Sequence, residues 1–198
     1  MHRLIAPGDA RPMPWKTGGG RTTEIAAEPP GSALDGFAWR VSIADVEGDG
    51  PFSAFPGVDR TIVLLEGGGM ELSDAHGSVT LAVPYEPWTI SGDEPVACRL
   101  VAGAVRDFNL MTRRTDARGE VEVVRDGAAR VTGARHRLCW TAAGAVECLV
   151  PGHAPFALPA GHALWQDGAD AAATMSVQPL STGAVALVVK IDAVDPLR

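Results

Sequence analysis

Residues 37–46, FAWRVSIADV, alternate strictly. Phe37, Trp39, Val41 and Ile43 fall on one face of an extended segment, and Ala38, Arg40, Ser42 and Ala44 on the other. This period of two predicts a β-strand. Residues 60–67, RTIVLLEG, form a run of Thr and aliphatic residues and predict a buried strand closed by Gly67, Gly68 and Gly69. Shorter strands are predicted in TTEIAAE (22–28), MELSD, SVTLAV, EPWTI, VACRLVAG and VRDFNLMTRR, with turn signals such as DAHG and SGDEP between or after them.

The stretch RRTDARGE (113–120) breaks this pattern with polar residues, after which strands restart in VEVVR, ARVTG, LCWTAAGAVECLVP, APFALPAGHALWQ, TMSVQPL and AVALVVKIDAV. No long helical period and no repeat at the level of identity is visible. The physical reading is an all-β chain of two stacked sandwich or barrel modules, residues 1–115 and 116–198, each the size of one small jelly roll.

Composition narrows the class. In 198 residues there are 23 glycines and 15 prolines, as many short strands and tight turns require. A net charge of −7 argues against a nucleic-acid or anionic-membrane partner. Cys98, Cys139 and Cys148 lie in apolar surroundings without metal-ligand spacing and read as buried free thiols of a reducing compartment. The opening MHRLIAPGDARP has no apolar leader run, and no segment approaches a membrane span. These features predict a cytoplasmic protein.

The chemistry concentrates in the first block. PMPWKTGGGRTTEIA (12–26) sets Trp15 and Lys16 against three glycines, although the chain has only two lysines against fifteen arginines. A P-loop would need Gly-Lys-Ser/Thr before a helix, and a dinucleotide fingerprint would need a βαβ unit; neither fits. Consecutive glycines permit positive φ and close backbone approach, and a plain bulge or turn stays open beside that reading.

The histidines (His2, His76, His136, His153, His162) include no His-x-His pair with a carboxylate at ligand spacing, so no metal and no other cofactor is expected. Arg40 and Ser42 share a strand face, Arg60 opens an apolar strand, and Asp107 and Asn109 share a face. Such groups must pair internally, for instance Arg40 with Asp107, or with something bound. No nucleophile elbow is present; Glu24, Asp107 and Lys16 are the acid–base candidates if they converge.

MPWKTGGGRTTEIA, WRVSIADVEGDGPFSAFPGVDRTIVLLEGGGMEL and CRLVAGAVRDFNLMTRR resemble the HutD/Ves family. The likeness covers nearly the whole chain and is specific in these three segments. It implies a two-module cupin fold (a bicupin) and association with histidine utilisation. It also implies binding of a small anionic intermediate of that pathway, with a regulatory or sequestering role.

Trp15, Lys16, Gly18, Gly19, Gly20, Thr23 and Glu24 match the family's opening motif, while Thr17 replaces its asparagine and loses the amide donors. The ligand-binding set implied is Trp15, Lys16, Thr17, Gly18, Glu24, Arg40, Ser42, Phe55, Arg60, Asp107 and Asn109. A metal-independent cupin enzyme, an isomerase or hydrolase with Glu24 or Asp107 as base and Lys16 as electrophilic stabiliser, stays open as the alternative. A homodimer stays open as the assembly.

Overall fold

The computed structural model describes residues 1–15, 18–168 and 174–194. The described residues form strands, turns and one 3-10 turn (Pro7–Asp9) with no α-helix, as the alternating pattern requires. No helix among them is long and apolar enough to cross a membrane.

The chain divides into two compact units. Strand β1 (His2–Ile5) opens it. The N-terminal unit, centred on Ala10–Ala117, contains β2 (Arg11–Pro14), β3 (Gly20–Glu28), β4 (Trp39–Val46), β5 (Gly50–Phe52) and β6 (Val58–Glu66). It continues with β7 (Met70–Asp74), β8 (Gly77–Leu81), β9 (Pro87–Ser91), β10 (Val96–Leu100) and β11 (Val105–Arg113). The C-terminal unit, Met1–Asp9 with Arg118–Ala193, contains β1 and most of β12 (Ala117–Val124), then β13 (Ala129–Val131), β14 (His136–Ala143) and β15 (Ala145–Leu149). It ends with β16 (Phe156–Pro159), β17 (Ala163–Asp167), β18 (Met175–Pro179) and β19 (Val185–Ala193).

Each unit has two sheets. Those of the N-terminal unit run β2-β3-β4-β11-β6-β9 and β5-β10-β7-β8; those of the C-terminal unit run β1-β17-β14-β19-β12 and β13-β18-β15-β16. Without β1, β2 and β3 the two orders are the same: β4-β11-β6-β9 matches β12-β19-β14-β17, and β5-β10-β7-β8 matches β13-β18-β15-β16. Eight strands repeat in topology although the sequence shows no repeat.

Residues 1–9, grouped with the first block on the sequence pattern, lie in the C-terminal unit. Strand β1 adds antiparallel to β17, with His2 opposite Gln166 and Ile5 opposite Ala163. A pairing between residues so far apart leaves no local signal.

In the N-terminal unit the core draws on both sheets, with Ala44, Ile62, Leu64 and Val105 meeting Phe52, Met70, Leu72 and Cys98. The C-terminal core packs Cys139, Leu164 and Val188 against Val131, Val146, Cys148 and Val177. Each large aliphatic side chain here is almost fully buried and contributes roughly 1.5–3 kcal/mol by leaving water. All three cysteines are buried and free.

Candidate functional site

Register across the six-stranded sheet assembles the polar residues. Met111 on β11 lies opposite Arg40 on β4 and opposite Arg60 on β6, so the two arginines flank it on adjacent strands and stand about two strand spacings, roughly 10 Å, from each other. The next row with the same facing is Glu24, Ser42, Asn109 and Ile62, and the one after it Thr22, Ala44, Asp107 and Leu64. The alternation read from residues 37–46 therefore places Arg40, Ser42 and Ala44 together on the inner face.

These rows border a cavity of about 570 Å³ within the N-terminal unit. Its polar wall includes Thr22, Arg40, Ser42, Ser53, Arg60 and Asn109. Its apolar wall includes Met13, Trp15, Leu34, Phe52, Phe55 and Met111.

Two charged pairs underlie the polar wall. Nε of Arg40 donates to Oε2 of Glu24 at 2.8 Å, an ion pair almost wholly out of water. Nη2 of the same guanidinium makes a weak contact with Sδ of Met13 at 4.0 Å. Nε of Arg60 donates to Oδ1 of Asn109 at 2.7 Å, and its guanidinium lies over the Phe52 ring, 4.4 Å from the centroid. The Asn109 amide donates in turn to Oδ2 of Asp107. No residue among those described accepts a hydrogen bond from the Nη atoms of Arg60. The pairing of Arg40 with Asp107 anticipated from sequence is not formed: Glu24 takes Arg40, and Asp107 is linked to Arg60 through Asn109.

Asp107 is fully buried, and its Oδ1 has no hydrogen-bond partner among the described residues. Burial pushes its carboxyl up to about 6, against the attraction of Arg60 and the Asn109 hydrogen bond. Burial likewise lowers the Arg60 guanidinium, while Asp107 pulls it back up; an arginine keeps its charge under such shifts.

The glycine run lies between two lining residues, Trp15 and Thr22. Gly18 and Gly19 adopt φ of 71° and 77°, and a Cβ on Gly20 would sit 2.5 Å from the Asp45 carbonyl oxygen and 3.1 Å from the Trp15 ring. Positive φ and close approach, both read from the triple glycine, are thus both used. The turn sets Trp15 against Phe52, ring centroids 6.4 Å apart, and Nε1 of Trp15 donates to Oγ1 of Thr22 at 2.8 Å.

A second bend presents Phe55. Its N–H donates to the Gly92 carbonyl at 2.6 Å, while Gly57 N–H donates to Asp93, which Arg114 also binds at 2.6 Å. The Gly57 N–H, then Ser91 and Arg114, hold the Asp93 carboxyl down at about 2.

Of the residues singled out from sequence, Trp15, Arg40, Ser42, Phe55, Arg60 and Asn109 line the cavity. Glu24 and Asp107 stand one hydrogen bond behind the wall, on Arg40 and Asn109 respectively. Gly18 belongs to the glycine turn rather than the lining. Lys16 and Thr17 lie outside the described residues. Phe52 was missed because it comes from β5, a three-residue strand of the opposite sheet too short to show a period. Leu34 sits in the PPGSALDG turn, where an apolar residue carries no pattern.

The wall does not fit a transition metal. Guanidinium groups and an amide stand where imidazoles and carboxylates would be needed, and the described residues contain no cluster of three or more His, Cys, Asp or Glu able to hold one.

Fold and site together define a cupin-like all-β protein with a cationic cavity in its N-terminal unit. The chain belongs to the HutD family, whose model matches residues 8–186. An uncharacterized protein in the hutC 3′ region of Pseudomonas putida is 41% identical over 152 residues, covering 76% of this chain and 78% of that one. Protein Ves of Citrobacter koseri is 39% identical over 141 residues, 69% of this chain and 72% of its own. The structure of HutD from Pseudomonas fluorescens SBW25 superposes with a TM-score of 0.81 at 34% identity, over 98% of this chain and all of that one. Oxalate decarboxylase of Bacillus subtilis, at 8% identity and a TM-score of 0.61 over 96% of this chain and 76% of its own, shares the fold alone.

Proposed function

We propose that this chain is a bicupin that binds a small carboxylate metabolite, without a metal, in the cavity of its N-terminal unit. The observation that carries this reading is the pair of arginines on the cavity wall whose Nε atoms are occupied by Glu24 and Asn109, with no described residue accepting from the Nη atoms of Arg60. A carboxylate there gains charge-assisted hydrogen bonds from groups already oriented and partly dehydrated, roughly 1.5–3 kcal/mol each. The eight-strand order occurring twice supports the bicupin description.

The names of the relatives, one a HutD and one encoded in a hutC region, favour an intermediate of histidine utilisation as the metabolite. A regulatory or sequestering role is preferred to a catalytic one. An isomerase or hydrolase would need an acid or base on the wall, and Glu24 and Asp107 both lie behind it, engaged with Arg40 and Asn109. The acidic net charge makes a small molecule, rather than nucleic acid or an anionic membrane, the expected partner in the cytoplasm.

A thermal-shift screen of the carboxylate intermediates of histidine breakdown tests the proposal, with each hit followed by calorimetry and a turnover assay. Saturable binding of one acid without product formation is expected. Product formation would favour the enzymatic alternative, and no binding by any of these acids would overturn the assignment of the cavity.

A further inference from the structure

We propose that Asp107 makes anion binding proton-linked: an anion held at the Nη edge of Arg60 raises the proton occupancy of Asp107 at the expense of solvent, through the chain Asp107–Asn109–Arg60. This rests on the carboxylate reading of the cavity and adds a control on it. The geometry supplies both ends of the link. Arg60 faces the cavity, and behind Asn109 it has a single fully buried carboxylate as its counter-charge. Oδ2 of Asp107 accepts from Asn109, so the incoming proton goes to Oδ1, the oxygen with no hydrogen-bond partner among the described residues.

Without a ligand, Arg60 and ionised Asp107 offset one another across the amide. A bound anion takes over the neutralisation of Arg60 and adds a second negative charge nearby. Both effects favour the protonated acid. The titration of Asp107 then moves upward from about 6, into the neutral range.

The other groups facing Asp107 do not replace it in this role. Cys98 on β10 is held near 11 by burial and stays a neutral thiol. Asp45 on β4 raises the Asp107 value slightly, and is itself engaged by Arg21 at 2.8 Å and Arg106 at 3.0 Å. Arg40 acts further off, through its repulsion of Arg60. Asn109 carries no charge; it transmits the link because its amide accepts from one partner and donates to the other.

The linkage has a defined sign. Affinity for an anion is highest where Asp107 is protonated before binding, and falls as pH rises through the interval between its free and bound values. An anion that stays ionised throughout isolates the protein's part in this dependence.

The test titrates the full-length, isotope-labelled protein from about pH 5 to 8 with excess sodium formate, and in parallel with sodium chloride at equal ionic strength. Arg60 side-chain nitrogen resonances report the anion in the cavity, and the Asp107 carboxyl carbon reports its titration. Formate is expected to shift Arg60 and to raise the Asp107 midpoint by about half a unit or more, equivalent to roughly threefold weaker formate binding at pH 8 than at pH 5. Asp107→Asn should bind formate equally at both pH values. An Arg60 response with an unmoved Asp107 midpoint overturns the linkage and leaves the carboxylate site standing. A silent Arg60 overturns both.

Discussion

Strand β11 of the N-terminal unit carries Asp107, Asn109 and Met111 inward, whereas its topological counterpart β19 carries Ala186 and Val188 into the core of the C-terminal unit. The same contrast extends to other strands of the two sheets. Arg60 on β6 looks into a cavity, while Cys139 on β14 and Leu164 on β17 complete a packed aliphatic cluster. One strand order therefore supports two kinds of interior.

The comparison separates what the fold needs from what the site needs. A packed core stabilises by area removed from water. A buried carboxylate and two arginines cost desolvation unless their partners are in place. The N-terminal unit retains that polar chain beside a cavity, whereas its counterpart fills the same topology with an aliphatic cluster and buries Arg137 and Thr141 on the Cys139 face of β14.

The largest expected effect lies in the unit without the polar cavity. Leu164→Ala should lose about 2–5 kcal/mol of stability by chemical denaturation, while ligand affinity at matched foldedness stays unchanged. A large change in affinity would show that the two interiors do not divide the labour as described.

Asp107 gives the next largest effect, with the opposite sign from most acids. Its folded value, about 6, lies above its unfolded value, so the native state holds the proton more tightly. The stabilising contribution is complete below pH ~3.8 and is lost as pH climbs to about 6, for a difference of about 3 kcal/mol. Asp107→Asn should flatten that slope in urea denaturation measured from pH 4 to 7. Asp93, held at about 2, has the usual sign, and its contribution disappears only as pH falls from about 4 to 2.

Replacing Arg60 by alanine should weaken binding of the identified acid about tenfold to a hundredfold by calorimetry. Arg40→Ala should do the same, and should also destabilise the fold by leaving Glu24 buried without its partner. The smallest effect is expected at the glycine run. Gly20→Ala forces a Cβ against the Asp45 carbonyl and the Trp15 ring, and should cost about 1–3 kcal/mol with a blue or red shift in Trp15 fluorescence. Gly8→Ala, whose Cβ would meet nothing within 4 Å, is the matched control and should be near neutral.

Much of this contrast was legible in the sequence because period-two alternation assigns faces directly. The alternation alone puts Arg40 with Ser42, and Asp107 with Asn109, on shared faces. The pairings themselves were not legible. Glu24 reaches Arg40 because β3 pairs beside β4 with a register shift between Glu24 and Ala26, and local patterns do not reveal a bulge. Phe52 and Leu34 approach from a very short strand and a turn, where no periodicity exists to read. The placement of β1 beside β17 depends on a sheet edge formed far along the chain.

The central claim is that the Nη edges of Arg40 and Arg60 receive a carboxylate. A crystal structure with the tightest-binding acid from the thermal-shift screen tests it most directly. The account predicts a carboxylate within hydrogen-bond distance, about 3 Å, of an Nη atom of Arg60 or Arg40, with the rest of the molecule against Phe52, Phe55 and Leu34. The same acid bound outside the cavity, or bound inside with its carboxylate turned away from both arginines, would contradict it.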